Sequence, residues 1–233
     1  MKSEFFQKVP SISINLIKEI EIKTGFEIDV RINSNNNHMT CFYNLNETVI
    51  TAPCLEYFIR TPGAFFHEVL HLYRNIVQNE PRLFLHEKEE DSDNAKEFDQ
   101  EILNFDNHIE HFSIIPLELS IFPERKEYWF KKWMTLCKTL EDEEASQHLK
   151  FNLFMLGMSV DKIFPASELQ DYLRKLECKH GYYEELLIYK AGIYLNNMSK
   201  KELVQKIVNY FNLPWMIIEF RCDDFDLRLV TVC

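Results

Sequence analysis

Eleven consecutive residues, Gly63-Ala64-Phe65-Phe66-His67-Glu68-Val69-Leu70-His71-Leu72-Tyr73, carry a single charge and no proline. Such a run constrains the fold because a helix made from it has apolar residues on most of its circumference and must be covered by other elements. Thr61 and Pro62 just before it are start signals, a capping hydroxyl and a proline tolerated in the first turn. The spacing of His67 and His71 adds a chemical constraint. Residues four apart share one helix face, so both imidazoles can grip one metal ion, with Glu68 placed beside a water that the ion would hold.

His67-Glu68-Val69-Leu70-His71, with its uncharged flanks from Ala64 to Tyr73, resembles the extended HExxH signature of the zincin metallopeptidases. The resemblance covers this helix and one more downstream. It implies a catalytic Zn²⁺ held by three protein ligands, with a fourth position open to water. Leu72-Tyr73-Arg74-Asn75-Ile76-Val77 lacks the glycine and third histidine of the metzincin extension, so that branch is excluded. The gluzincin-like branch takes a glutamate from a second helix, and Asp106-Asn107-His108-Ile109-Glu110-His111 is the candidate segment.

Phe98, Ile102, Phe105, Ile109 and Phe112 recur at helical spacing and predict a helix over Asp93 to Phe112, ended by Pro116. At about 100° per residue, Asp106 and Glu110 share one shoulder of that apolar stripe, and Glu101 and His108 share the other. Glu110 as third ligand is the assignment that the resemblance implies, with Asp106 holding the free ring N–H of His67 or His71. The rival is His108 as ligand, supported by Glu101. His111 points mostly away from the stripe; it is either solvent-exposed or a catalytic contact to an oxyanion or substrate.

Composition fits an enzyme of ordinary size. The chain has 233 residues, 46% of them apolar, and only five glycines, which argues against a loop-dominated β protein. A net charge of −11 disfavours nonspecific binding to nucleic acid or to an anionic membrane. Met1-Lys2-Ser3-Glu4 leads into no signal-peptide core, so a cytoplasmic location is expected. Cys41, Cys54, Cys137, Cys178, Cys222 and Cys233 form no CxxC pair and read as free, mostly buried thiols.

The expected fold class is α+β, mostly helical and zincin-like. A helix over Ile12–Lys23, stopped by Gly25, precedes a small antiparallel or mixed sheet with strands over Phe26–Ile32, Met39–Tyr43 and Thr48–Ala52. In zincins the strand nearest the motif helix is an edge strand that can receive an extended peptide, and Thr48–Ala52 is the candidate. Glu87 to Asp93 is acidic enough to be a solvated loop. Pro123 marks a turn, and Tyr128 to Trp133 opens an aromatic helix whose rings pack a core, with Tyr128 a further candidate oxyanion donor.

Helices are predicted over Ala145–Met158, Ala166–Glu177, Tyr182–Leu195 and Ser199–Phe211, where Ser199 and Glu202 spell a capping box. A terminal hairpin over Trp215–Arg221 and Asp226–Val232 completes the chain. The expected organisation is a catalytic core over residues 1–140 and a helical part over 141–233 that forms the far wall of the cleft. The function that the resemblance implies is zinc-dependent hydrolysis of amide bonds in a peptide or protein substrate, directed at one cytosolic protein. One Zn²⁺ is bound by His67, His71 and Glu110, and Glu68 is the base. The alternatives are another zinc amide hydrolase, of deacylase or deformylase type, and a non-catalytic binding or regulatory protein that keeps the helix as a fold element.

Overall fold

A computed structural model describes residues 9–43, 47–85, 95–194, 198–213, 217–220 and 230–231. The fold class is α+β, as expected: a small mixed sheet lies near the N-terminus and helices dominate the rest. The described residues form two compact units that divide between Arg82 and Leu83. No described helix is long and apolar enough to cross a membrane.

In the first unit, helix α1 (Ser11–Thr24) ends where Gly25 adopts φ 74°, a left-handed conformation that suits glycine. Strands β1 (Ile28–Ile32), β2 (Thr40–Tyr43) and β3 (Thr48–Ala52) follow, then the short α2 (Leu55–Arg60) and the motif helix α3 (Pro62–Ile76). The sheet order is β1-β3-β2. β1 runs parallel to β3, with Ile28 opposite Thr48, and β2 runs antiparallel to it, with Tyr43 opposite Thr48. Thr48–Ala52 is therefore the central strand, which corrects its expected role as an edge. Its burial explains this: Thr48, Val49, Ile50 and Ala52 are all inaccessible. The edge that packs against α3 is β2. Ile17, Ile20, Ile28, Ile50, Phe58, Phe65, Val69, Leu72 and Ile76 make one apolar core. The Tyr73 hydroxyl, donating to Glu19 at 2.9 Å, ties α3 to α1.

In the second unit, α4 (Ala95–Ile121), α5 (Arg125–Leu140), α6 (Gln147–Ile163), α7 (Glu168–Lys179), α8 (Tyr183–Tyr194) and α9 (Lys200–Phe211) follow β4 (Arg82–Leu85). The capping box at Ser199 and Glu202 forms as the sequence predicts. Strands β5 (Ile217–Phe220) and β6 (Val230–Thr231) pair antiparallel, the core of the expected hairpin. Residues 86–94, with the whole acidic run and the expected start of the second helix, lie outside the described residues. Helices α4 to α9 share one cluster in which Phe105, Ile109, Trp129, Trp133, Leu153, Phe154 and Phe211 are buried.

Pro116 does not end the second helix, because α4 runs through it to Ile121. Proline has no N–H, so the Phe112 carbonyl one turn back loses its helical partner. Lys162 of α6 replaces it, its ammonium donating to the Phe112 carbonyl at 2.6 Å. An orphaned carbonyl is costly, and here a charge-assisted bond from a neighbouring helix removes the cost. Lys162→Met is expected to lower stability by about 1 kcal/mol. In a Pro116→Ala background the restored N–H makes the lysine dispensable, so the same change should cost almost nothing. A double-mutant cycle by urea denaturation measures that coupling, and additive effects would contradict this origin of the unbroken helix.

Candidate metal centre

The motif helix is built as its sequence demands, with one change at its start. Thr61 occupies the cap position and Pro62 the first helical position, but the Thr61 hydroxyl does not cap α3. It turns back to donate to the Tyr57 carbonyl of α2 at 2.7 Å. Ala64, Phe65, Phe66, His67, Val69, Leu70 and Leu72 are buried, so the helix is covered on most sides as its uncharged flanks require.

His67 and His71 lie one turn apart with their Nε2 atoms 3.2 Å from each other. Two nitrogens bound to one zinc ion at about 2.0–2.1 Å in tetrahedral geometry stand about 3.3 Å apart, so the pair is already at ligand spacing. Imidazole nitrogens suit zinc, copper, iron and nickel alike, so this donor set does not select among them.

Glu68 is half-buried on the same helix, and its charge acts on the Cys41 thiol of β2. Burial first, and then the negative charge of Glu68, push that thiol well above the ordinary cysteine range. The partner was not legible in the sequence, because it depends on β2 crossing α3.

The residues of α4 fall into three groups. Asp106 and Glu110 are buried and share the ammonium of Lys200, the first residue of α9, at 2.6 Å each. His108 is half-buried, its Nδ1 donating to the Asn104 carbonyl at 2.9 Å, and burial lowers its pKa below the ordinary histidine value. Glu101, the residue expected to support it, lies 4.0 Å from His148.

His111 is only 7% exposed, which corrects the expectation of a solvent-facing side chain. Its ring meets Trp129 of α5 edge to face, with centroids 5.3 Å apart. The stripe of Phe105 and Ile109 covers one side of α4, and Trp129 covers another. Trp129 is fixed in turn by Glu118, which is fully buried and accepts from the indole N–H at 3.0 Å and from Arg125 at 2.5 Å. Tyr128, the other aromatic considered for a catalytic role, is 40% exposed and lies beneath the Arg125 guanidinium.

The four described cysteines are free, but not mostly buried: Cys137 is buried, Cys41 is half-buried, and Cys54 and Cys178 are exposed. Cys222 and Cys233 lie outside the described residues.

No protein-family model matches the chain, and no curated protein or solved structure does either.

Two outcomes follow from this geometry. Iodoacetamide at mildly alkaline pH should label Cys54 and Cys178 quickly while Cys41 and Cys137 stay unmodified, as read by peptide mass mapping. Rapid labelling of Cys41 would mean that burial and the Glu68 charge do not raise its thiol. Lys200→Met leaves two buried carboxylates without their shared cation and should cost about 3–5 kcal/mol in denaturant unfolding. A loss below about 1 kcal/mol would show that the ammonium is not what balances Asp106 and Glu110.

Proposed function

We propose that the chain is a zinc-dependent metallopeptidase in which His67, His71 and His111 hold the metal and Glu68 is the general base. The observation that carries this reading is the 3.2 Å spacing of the His67 and His71 Nε2 atoms, the spacing of two nitrogens that share one zinc ion. His111 takes the place that the resemblance gives to Glu110. The ion pair between Glu110 and Lys200 supports the exchange, since a carboxylate committed to a buried ammonium is a poorer ligand than a neutral imidazole nearby.

Zinc bound there would supply Lewis-acid activation of water, lowering its pKa from about 16 toward roughly 7. Glu68 accepts the proton as the water attacks the amide carbonyl, then passes it to the leaving nitrogen. Trp129 meets the His111 ring edge to face and restricts its rotation. The substrate strand has a defined track: β2 is an edge of its sheet, it packs against α3, and it carries Cys41. A peptide added along β2 by main-chain hydrogen bonds passes beside the base.

Metal content by mass spectrometry, after dialysis of zinc-loaded protein, tests the ligand set. Wild type and Glu110→Ala should each retain about one zinc, and His111→Ala should lose it. The reverse pattern would return the third position to Glu110 and remove His111 from it. Glu68→Gln should keep its zinc but lower cleavage of a peptide-library substrate by about 10²–10⁴-fold. Undiminished cleavage in that variant would sink the assignment of the base.

A further inference from the structure

Helices α4, α5, α6 and the end of α9, all in the second unit, enclose a cavity of about 550 Å³ that the metal centre does not use. This is the size of a small-molecule site. Its wall is aromatic and apolar, with Phe105, Phe151 and Phe211 in a row whose neighbouring rings stand 5.7 and 5.3 Å apart, and Met155 beside them. Its charged lining is mainly acidic. Glu101 and Glu143 contribute carboxylates, Glu101 with the His148 ring 4.0 Å away, and no lysine or arginine lines the cavity.

His108 also lines it. Because its Nδ1 proton is given to the Asn104 carbonyl, Nε2 of the neutral ring can only accept a hydrogen bond. A cavity with this lining presents negative charge, a hydrogen-bond acceptor and aromatic surface to whatever enters.

We infer that this cavity is a binding site for a small organic cation, an ammonium group carried on an aromatic or alkyl body. The body is matched by the phenylalanine row, which removes it from water. The ammonium is matched by the two carboxylates and the His108 acceptor, and an aromatic face favours a cation over an anion of the same shape. A carboxylic acid of equal size meets like charge and is rejected. The inference rests on the second unit alone and stands whether or not the three histidines bind zinc.

The test is calorimetric titration of the full chain, at neutral pH and low salt, with three probes of nearly equal size: phenylbutylamine, phenylbutanol and phenylbutyrate. The amine should bind saturably at one site, about tenfold tighter than the acid, with the alcohol between them. Glu101→Gln and Glu143→Gln, both at accessible positions, should each weaken the amine severalfold and leave the alcohol unchanged. Asn152→Phe, at a half-buried wall position, should abolish binding of all three by filling the space. Binding of the acid as tight as that of the amine would overturn the inference. So would failure of all three probes to bind, or amine binding indifferent to Asn152→Phe.

Discussion

The candidate centre depends on one property of the α-helix. Four residues advance the chain by a little more than a full turn, so residues i and i+4 stand one above the other. Here that places the Nε2 atoms of His67 and His71 3.2 Å apart on a helix whose other faces are almost all buried. Burial fixes the helix against rotation, and a fixed helix fixes the imidazoles. An exposed helix with the same two histidines would present them to water with free rotamers. The apolar residues between and around the ligands are thus part of the site, because they hold the ligand geometry before any ion arrives.

The surrounding side chains act in the same sense. The charge of Glu68 acts on the Cys41 thiol, and His111 is restrained by a chain of contacts through Trp129 to Glu118 and Arg125. Asp106 and Glu110 share the ammonium of Lys200, so that each carboxylate buried on α4 has a cationic partner. Each arrangement ties a polar group to an element distant in sequence: β2 to α3, α5 to α4, α9 to α4.

That distance explains what the sequence disclosed and what it withheld. Local signals were dependable. Gly25 stops α1, the Ser199 capping box starts α9, and the periodicity of Ile102, Phe105 and Ile109 marks a buried helix face. His67, Glu68 and His71 stood out because their relation is internal to one helix. Tertiary substitutions for local rules were invisible. Pro116 reads as a helix stop until Lys162, 46 positions on in the sequence and on another helix, supplies the missing donor. Thr48–Ala52 reads as a strand, but its place at the centre of the sheet depends on a parallel partner. For His111 a helical wheel leaves solvent and a catalytic contact both open, because it shows one stripe at a time and the Trp129 that meets its ring arrives from α5. Glu110 and His111 are neighbours, yet Glu110 meets Lys200 of α9 and His111 meets Trp129 of α5, which no local pattern shows.

The central claim is that three imidazoles share one ion, and X-ray absorption at the zinc edge tests it most directly. For the zinc-loaded full chain the account predicts three imidazole ligands with Zn–N near about 2.0–2.1 Å and one light-atom ligand completing a tetrahedron. Two imidazoles with a carboxylate would contradict it, as would sulfur at about 2.3 Å or no zinc retained at all.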